Sequence, residues 1–312
     1  MVTPAPPGSR KGNRVTANRW ARLLRSLGHR VAVAETFADQ PCGVLIALHA
    51  RKSAASVQRF SRARPHAPII LALTGTDLYR DLPSSKPAQR SLELAARLLL
   101  LQPQSRRELP KRLRAKARVI YQSAERLKNP PRPLQRVFEI CVSGHLRPVK
   151  DPFRAALAAR GLPAESRITI THIGGALSAS MKQRALKEMR RNVRYRWLGE
   201  VPLWKARRIT ARSRLLVLSS RMEGGPSVIS EALVASVPVL STKVSGTVGL
   251  LGEDYEGYFD VGHTAQLAEM LCRCERDTAF YRVLRESCHR RAGLFAPEAE
   301  RAAWESLIRE VV

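Results

Sequence analysis

The densest set of residues able to carry out chemistry lies in a turn that contains two glycines and a proline. The apolar run Leu215–Leu218 before the turn predicts a buried strand, and an apolar stripe after it predicts a helix. Gly224 and Gly225 have no Cβ, so a ligand can approach the free backbone N–H groups at the start of that helix. Pro226 suits the first helical position, where its missing N–H costs nothing, and Ser227 follows it. The turn is therefore predicted to bind an anion, and it suits a diphosphate.

Two glutamates flank this turn with seven residues between them. Glu231 lies about one and a half turns into the predicted helix, where it can reach past a diphosphate toward a ribose. Glu223 precedes the turn and faces the other side of the same pocket. The alternative interpretation is a tight strand-to-helix turn with one glutamate near a helix start and one unrelated surface glutamate. The complete string, with its spacing, favours the ligand site.

Secondary structure must position these residues, and short β-rich runs alternate with helical stretches along the chain. This alternation predicts an α/β architecture with parallel sheets. Most strand candidates are near-continuous apolar runs, as expected for strands that are covered on both faces. In the first half the strand candidates are Arg30–Ala34, Gly43–Ala50, Ile69–Thr74, Leu98–Gln102 and Arg118–Gln122. In the second half they are Phe138–Ser143, Ile168–Ile173, Tyr195–Leu198, Leu215–Ser219, Pro238–Thr242 and Tyr258–Asp260. Predicted helices between them include Thr16–Leu27 and Ala54–Arg64.

A stretch rich in proline and charge, Glu125–Arg136, predicts a linker near the middle of the chain. We therefore predict an N-terminal domain over residues 1–136, a C-terminal domain over residues 137–295 and a final amphipathic helix within residues 296–312. Ligands of open parallel sheets bind beyond the carboxyl ends of the strands, so the ligand site is expected between the two halves.

The charge balance is strongly basic, with 54 Lys and Arg against 26 Asp and Glu and a formal net charge of +28. Such a field attracts anions of many kinds. The cations are spread along the chain and mixed with acids, which predicts a solvated basic surface and non-specific polyanion binding. The most closely spaced of them are Arg190, Arg191, Arg194 and Arg196.

The five cysteines are scattered, and only Cys272 and Cys274 lie close together. They have no second pair at metal-binding spacing, and positions two apart on a helix face different directions, so neither a zinc site nor a disulfide framework is expected. The N-terminus lacks the apolar core of a signal peptide, and no apolar stretch approaches the ~20 residues that span a bilayer. We therefore expect a cytoplasmic protein.

The string Ser219–Leu233 resembles the nucleotide-sugar-binding signature of family-four glycosyltransferases of the GT-B fold. The resemblance implies two Rossmann-like domains whose parallel sheets face each other across a cleft, with a C-terminal helix that crosses back to the N-terminal domain. It also implies that Glu223 contacts the sugar of a UDP-sugar and that Glu231 contacts the ribose. The turn residues implied at the diphosphate are Gly224, Gly225, Pro226 and Ser227.

Weaker resemblances extend the implied site. The segment Gly144–Lys150 resembles the family's Gly-Arg…Lys element, whose cations neutralise the leaving diphosphate, and this implies a catalytic Lys150. His145 occupies the usual arginine position and Arg147 comes two residues later, so Arg147 is the alternative catalytic cation, or else a solvated loop residue. No D-x-D motif is present, so no metal cofactor is expected and the cations would stabilise the departing UDP. The segment that resembles the family's base-reading backbone is Gly199, Glu200 and Val201.

Loops at predicted strand ends of the first half are also basic. A cationic loop suits a small anionic co-substrate. The alternative interpretations are a mobile basic N-terminus for the opening loop, a near-core position for His49 and a helix-capping role for Thr76 or Asp77. The candidate residues for anion binding are Arg10, Lys11, Gly12, Asn13 and Arg14 in the opening loop, His49 and Arg51 in the second loop, and Thr76 and Asp77 in the third.

Nearly end to end, the chain resembles one subgroup, the selenosugar synthases of bacterial selenoneine biosynthesis. The strings that carry this resemblance are Gly12–Ala17 with Arg19–Leu24, Leu48–Arg51, Leu73–Arg80, Ser219–Gly225, Val248–Gly252 and Phe295–Arg301. The resemblance implies that selenophosphate attacks the anomeric carbon of UDP-N-acetylglucosamine, so that UDP and phosphate leave and a 1-selenosugar forms. The implied functional partners are selenophosphate synthetase and a downstream selenoneine synthase.

Selenophosphate arrives ionised, so it needs cationic positioning more than a general base. We expect Arg10, Lys11, Arg14 and Arg51 to supply that positioning. One alternative is a family-four glycosyltransferase that acts on a hydroxyl acceptor, which explains the second half equally well. Another is a polyanion-binding protein without enzymatic activity, which predicts steep salt dependence and no effect of UDP on stability. The sequence leaves open the preferred hexosamine, the stereochemistry and whether Glu223 orients the sugar or stabilises positive charge.

Overall fold

The strands form two separate parallel sheets, one in each half of the chain. A computed structural model describes residues 1–9, 12–75 and 77–312. By internal contacts the chain divides into unit 1, which consists of residues 1–122 and 298–312, and unit 2, which consists of residues 123–297. The α/β class with parallel sheets is the one that the sequence pattern predicted. The domain boundaries at residues 136 and 295 stay predictions, because compactness alone does not delimit independently folding domains.

Unit 1 is built on a parallel sheet whose order, within the described residues, is β1-β2-β3-β4. Its strands are β1 (Leu45–Leu48), β2 (Ile69–Leu73), β3 (Arg97–Leu100) and β4 (Ala117–Val119). Every residue of β1 and β2 is buried, which is why both strands read as unbroken apolar runs. The four corresponding sequence predictions are confirmed, with small shifts at their ends.

The predicted strand Arg30–Ala34 is wrong as a regular strand. In the described part of the chain, Ala34 forms only an isolated bridge to Val2, which also bridges Ala47 of β1. The Thr3 N–H donates to the Ala34 carbonyl at 3.0 Å. The partner of Ala34 is therefore Val2 and its neighbours, a segment that carries no strand pattern of its own.

Helices cover both faces of the unit 1 sheet. The helices are α1 (Gly12–Ser26), α2 (Ala54–Ala63), α3 (Lys86–Leu94) and α11 (Pro297–Val311). Successive strand residues point to opposite faces, so one face packs against α2 and α3 and the other against α1 and α11. A π-helical turn, Asp77–Asp81, follows β2, and two 3-10 segments, Pro103–Glu108 and Lys111–Lys116, lie between β3 and β4.

The C-terminal helix α11 is fixed to α1 by a buried polar contact. Glu300 is 2% exposed and accepts hydrogen bonds from Trp20 Nε1 at 3.0 Å and from Arg19 Nη2 at 2.5 Å. The rings of Trp20 and Trp304 pack edge to face beside it, with centroids 5.1 Å apart. The amphipathic helix predicted at the end of the chain is thus present and packs on unit 1.

Unit 2 contains a parallel sheet with the order β10-β9-β8-β5-β6-β7 in the described residues. Its strands are β5 (Phe138–Ser143), β6 (Ile168–Ile173), β7 (Tyr195–Trp197), β8 (Leu215–Leu218), β9 (Val239–Thr242) and β10 (Tyr258–Phe259). All six strands predicted for the second half are confirmed, and none differs by more than one residue at either end.

The helices of unit 2 connect these strands. Over the described residues they are α4 (Arg154–Arg160), α5 (Ala179–Arg191), α6 (Leu203–Arg212), α7 (Ser227–Val234), α8 (Ser245–Leu251), α9 (Thr264–Arg276) and α10 (Thr278–Arg291). The predicted linker has no regular structure and is pinned to α6, where Arg207 pairs with Glu125 and Arg208 donates to the Asn129 carbonyl.

Two further findings concern the cysteines and the hydropathy of the helices. All five cysteines carry free thiols. Among residues 1–9, 12–75 and 77–312, no helix has both the length and the hydropathy that crossing a membrane requires.

Replacement Glu300→Ala is expected to lower the free energy of unfolding by about 2–3 kcal/mol, because it leaves the buried Trp20 N–H without an acceptor. Urea denaturation measures this change. The control is Glu305→Ala on the same helix, which removes an exposed pair with Arg301 and should change stability by less than about 0.5 kcal/mol. Equal losses in both variants would show that Glu300 does not anchor α11.

Candidate active site

The strand order of unit 2 reverses at β5. From β5 the chain runs through β6 to β7 at one edge, whereas β8, β9 and β10 lie on the other side of β5. The loops that leave β5 and β8 therefore diverge at the carboxyl edge of the sheet. Open parallel sheets bind ligands in the crevice at such a switch point. The two loops contain the residues that the sequence singled out.

Two predicted catalytic residues meet across this crevice. Lys150 Nζ donates to Glu223 Oε1 at 2.5 Å, and their side chains are 19% and 8% exposed. The same loops are joined through the backbone, since the Arg221 N–H donates to the Val149 carbonyl at 2.8 Å. The crevice thus holds a carboxylate and an ammonium group that are largely shielded from water.

The backbone at Glu223 is fixed from the side of α8. A Cβ on Gly246 would lie 2.0 Å from the Glu223 carbonyl oxygen, so the close approach requires glycine. The Thr242 hydroxyl donates to the Ser220 carbonyl at 2.6 Å, and the Thr247 hydroxyl donates to the Thr242 carbonyl at 2.6 Å. These contacts set where the Glu223 side chain leaves the loop.

The Gly-Gly-Pro turn leads into α7 as predicted, but the helix begins at Ser227, one residue later than expected. Pro226 flanks the helix with an extended ψ of 112°, which is outside the helical range. Gly224 is buried, Gly225 is half-buried and Ser227 is exposed. The turn therefore places backbone groups at the helix start beside the crevice.

Glu231 lies one turn into α7 and is half-buried. Burial raises the pKa of the Cys141 thiol on β5 to about 12, and the negative charge of Glu231 contributes to that increase. Glu231 is therefore within electrostatic reach of the strand at the switch point.

The loop after β5 lies directly against the loop after β6. A Cβ on Gly174, whose φ is +138°, would lie 2.1 Å from the Gly144 carbonyl oxygen. The Leu146 N–H donates to the Gly175 carbonyl at 2.9 Å, and the Gly175 N–H donates to His145 Nδ1 at 3.0 Å. Because Nδ1 accepts, a neutral His145 carries its hydrogen on Nε2.

Beneath these loops is a buried histidine on β6. His172 Nε2 lies 3.1 Å from the Gly144 carbonyl oxygen, and His172 Nδ1 lies 2.9 Å from the Tyr195 hydroxyl. Burial lowers the pKa of His172 to about 4, so the ring is neutral near neutral pH. Burial likewise raises the pKa of Tyr195, which keeps its hydrogen.

The predicted base-reading segment lies at the edge strand β7. Gly199 has a φ of +71°, and its carbonyl accepts the Gly174 N–H at 2.8 Å. The Trp197 indole donates to the Gly174 carbonyl at 2.8 Å. Glu200 is exposed and Val201 is half-buried. The segment is therefore tied to the loop after β6, two strands from β5.

Arg147 immediately precedes the 3-10 turn Pro148–Lys150, which the structure adds between β5 and α4. Within the part of the chain that the structure describes, its Nε atom is buried and has no hydrogen-bond partner. A buried unpaired donor costs about 1–3 kcal/mol, so this nitrogen is a candidate ligand contact.

In unit 1, predicted residue Asp77 lies at the carboxyl ends of β1 and β2. It is fully buried and accepts the Gly75 N–H at 2.8 Å, the Thr74 N–H at 3.0 Å and the Ala50 N–H at 3.1 Å. Burial raises the pKa of the Asp77 carboxyl group. Its described bonds join the two strand-end loops.

His49 and Arg51 converge on Asp81, a residue that the sequence did not single out. Arg51 Nε lies 2.9 Å from Asp81 Oδ2, and His49 Nε2 lies 3.7 Å from the same oxygen. His49 is 2% exposed with a φ of +75°, and its Nδ1 accepts the Lys52 N–H at 3.4 Å. Burial lowers the pKa of His49. Arg51 remains half-exposed.

Of the remaining predicted anion-binding residues, those that the structure describes lie at the start of α1. Arg14 is 4% exposed and its Nε donates to the Pro6 carbonyl at 3.1 Å, whereas Gly12 is exposed and Asn13 is half-buried. The predicted residues that lie outside the described residues are Arg10, Lys11 and Thr76.

Sequence reasoning missed His172, Gly174, Gly246 and Asp81. Gly174 had a signal, because a Gly-Gly pair directly follows a predicted strand. Asp81 had a weaker signal, because it lies four residues after the predicted residue Asp77. His172 and Gly246 had none, since their partners are distant in sequence. Throughout the described ranges, no group of three or more His, Cys, Asp or Glu side chains is arranged to hold a metal ion.

Comparison with solved structures shows the fold. HepE (Alr3699/HepE) from Anabaena, solved in complex with UDP, aligns over 94% of this chain and 89% of its own, with a TM-score of 0.72 and 16% identity. The pneumococcal O-GlcNAc transferase GtfA, solved in complex with UDP and GlcNAc, aligns over 94% of this chain and 59% of its own, with a TM-score of 0.66 and 12% identity. The chain has the GT-B fold.

Sequence comparison adds two findings. TuaC of Bacillus subtilis (strain 168), a glycosyltransferase assigned to teichuronic acid biosynthesis, is 35% identical over 79 residues, which are 25% of this chain and 20% of TuaC. The chain thus aligns with about a fifth of that relative's length. The family model of the glycosyl transferases group 1 matches residues 123–291, which is more than half of the chain. The chain therefore belongs to the glycosyl transferases group 1 family.

Proposed function

We propose that this glycosyltransferase takes its sugar from a UDP-sugar held by unit 2. The observation that carries the proposal is the buried Lys150–Glu223 pair at the switch point, beside the start of α7. HepE has been solved with UDP and with UDP-glucose, and GtfA with UDP, which supports a uridine diphosphate donor here.

In this proposal Lys150 and Arg147 bind the diphosphate, and Glu223 faces the sugar. The Lys150 ammonium group has three donors, so it can bind a phosphate oxygen while it stays paired with Glu223. The buried Nε of Arg147 lacks a partner among the described residues, and a diphosphate oxygen would satisfy it. The proposed diphosphate contacts in the turn are the backbone N–H groups of Gly224, Gly225 and Ser227, while Pro226, which has no N–H, shapes the turn between them.

The strand spacing suits an elongated donor. Gly199, Glu200 and Val201 follow β7, which is separated from β8 by three strand spacings, or roughly 14 Å. A nucleoside diphosphate can extend along such an edge, with its base at the end of β7 and its phosphates between β5 and β8. Glu231 on α7 would then meet the ribose between them.

For the acceptor we propose selenophosphate, with UDP-N-acetylglucosamine as the donor. Selenium attacks the anomeric carbon as the bond to UDP breaks, and water then cleaves the selenium–phosphorus bond to release phosphate and the 1-selenosugar. The proposal rests on the near end-to-end sequence resemblance and on the basic loops of unit 1. Selenophosphate synthetase would supply the acceptor, and a selenoneine synthase would consume the product.

The contacts in unit 1 favour an anionic acceptor that reacts without a general base. Arg51 is half-exposed beside Asp81 and Arg14 lies at the start of α1, so both can contribute positive charge. Asp77 joins the loops that carry His49 and Thr76, and we assign it to positioning those loops. Both nitrogens of His49 face groups of the protein, which leaves the ring poorly placed to remove a proton.

A hydroxyl acceptor is the second candidate, and the His49–Asp81 pair is the observation that favours it. A histidine beside a carboxylate is the usual arrangement of a general base and its orienting group. Because Nε2 faces Asp81, the base would be Nδ1, so this reading requires His49 to give up its contact with the Lys52 N–H.

Replacement Lys150→Ala is expected to lower turnover of the UDP-sugar by about a hundredfold or more, because the leaving diphosphate loses a preorganised cation. Steady-state kinetics and calorimetry with UDP measure the effect. Lys205→Ala, which removes an exposed lysine of α6, is the control and should behave as the unmodified protein. UDP uptake that is unchanged in Lys150→Ala would place the diphosphate elsewhere.

We propose that no metal ion takes part, with cations and helix dipole in its place. Turnover is then expected to persist in excess EDTA. Added Mg²⁺ or Mn²⁺ should change turnover by less than about twofold, whereas removal of one preorganised hydrogen-bond donor lowers a rate about a hundredfold or more. An activity abolished by EDTA and restored by Mn²⁺ would contradict this proposal.

Mass spectrometry of products from UDP-N-acetylglucosamine and freshly generated selenophosphate is expected to detect the 1-selenosugar. Arg51→Ala should raise the KM for selenophosphate about ten- to a hundredfold, the equivalent of one charge-assisted hydrogen bond, without changing the KM for the UDP-sugar. Arg59→Ala, an exposed arginine of α2 paired with Asp39, is the control. A sugar transferred to an added alcohol, with none transferred to selenophosphate, would select the hydroxyl acceptor.

A further inference from the structure

A row of hydrogen bonds crosses three neighbouring strands of unit 2 just below the loops of the donor site. It begins at Tyr195 on β7, passes through His172 on β6 and ends at the Gly144 carbonyl, which directly follows β5. His172 is fully buried. Nothing in the proposed sugar transfer uses this histidine directly.

The partners of His172 fix its tautomer. A carbonyl oxygen can only accept, so Nε2 carries the hydrogen and donates it to Gly144. The other nitrogen, Nδ1, then accepts the hydrogen of the Tyr195 hydroxyl. Burial keeps the ring neutral, in agreement with its lowered pKa. Both ring nitrogens are therefore satisfied in one orientation.

The bond to Gly144 sets the plane of the peptide that begins the loop. In a planar trans peptide the C=O and N–H point in opposite directions, so the His145 N–H points away from His172. Gly174 packs on the same peptide so closely that a Cβ there would lie 2.1 Å from the Gly144 oxygen and 2.8 Å from the His145 nitrogen. The peptide is held from two sides, and the loop to Lys150 starts from it.

Burial of an imidazole ring costs free energy that an apolar side chain in the same position would not. Ile168 and Ile170, which lie on the same side of β6, are buried and apolar, and a polar ring beside them is stable only when its hydrogen bonds are made. Two polar side chains, one of them on the neighbouring strand, thus serve to hold one carbonyl at the edge of the crevice.

We infer that His172 is a positioning residue of the donor site, which orients the loop 144–150, and with it Arg147 and Lys150, through the Gly144 carbonyl. The inference rests on the proposed UDP-sugar site of unit 2. It assigns His172 to the diphosphate end of that site, because the loop it holds carries the cations.

Two isosteric variants separate the two bonds of the ring. His172→Gln places an amide nitrogen near the position of Nε2 and keeps the donor to Gly144. His172→Asn places its amide near Nδ1, so it keeps the contact with Tyr195 and loses the one with Gly144. Each variant loses one of two buried bonds, so their melting temperatures should be similar.

The readout is the affinity for UDP and for uridine, each measured by competition against fluorescently labelled UDP. We expect His172→Asn to weaken UDP binding about tenfold or more, because small displacements of a positioned group cost up to a hundredfold, and His172→Gln to stay within about twofold. Uridine, which has no diphosphate, should bind both variants as it binds the unmodified protein. Tyr195→Phe removes the same bond that His172→Gln loses and keeps the donor to Gly144, so it provides an independent test and should leave the affinities for UDP and for uridine within about twofold of those of the unmodified protein.

Equal losses of UDP affinity in the two isosteric variants, or parallel losses for uridine and UDP, would overturn the inference and leave His172 a structural role. Unchanged UDP affinity in His172→Asn would overturn it as well, while the proposed function would stand. If the unmodified protein bound no UDP, the proposed donor and the inference would both fall.

Discussion

The candidate site depends on one buried ion pair, whose two residues lie 73 positions apart in the chain, on different loops. A carboxylate that is 8% exposed is stable only with a charged or hydrogen-bonding partner, so the loops after β5 and β8 are coupled through Lys150 and Glu223. The Ser219 hydroxyl strengthens the coupling, since it donates to the Asp151 carbonyl at 2.8 Å. Because the strand order reverses between β5 and β8, these loops border the crevice in which parallel sheets bind ligands. The same pair therefore joins the two loops and lies where we propose that the donor binds.

Close backbone contacts give the crevice its shape. At Gly174 and Gly246 a single Cβ would collide with the backbone of a loop from another strand. Such contacts leave the loops little freedom, and the row from Tyr195 through His172 to Gly144 adds directional bonds beneath them. Preorganisation of this kind lets cations act on a leaving group without reorganising during the reaction. The rigidity of the site is thus a property of glycines and neutral polar groups, whereas the chemistry that we propose for it depends on charged groups.

The formal net charge is +28, but the charged residues have different roles in unit 2 and in unit 1. In unit 2 the relevant cations are few and sit in the loop after β5. In unit 1 the acids Asp77 and Asp81 are buried and hold strand-end loops, one through backbone N–H groups and the other beside Arg51 and His49. Many other arginines form exposed pairs, such as Arg59 with Asp39, which contribute little to stability. Only cations fixed beside a strand end are expected to recognise a small anion.

The sequence by itself determined the parallel α/β class, all strands of unit 2 to within one residue, and the turn at Gly224 with its two glutamates. These features are local, since an apolar run bounded by turn residues predicts a buried strand wherever its partners lie. Only the tertiary structure decided that Lys150 pairs with Glu223 and that His172 holds Gly144, because each contact joins segments far apart in sequence. The same reason explains the error at Arg30–Ala34, whose pairing depends on Val2, a residue with no pattern around it. Local periodicity records which face of an element is buried, and the partner on that face is fixed only when the sheet assembles.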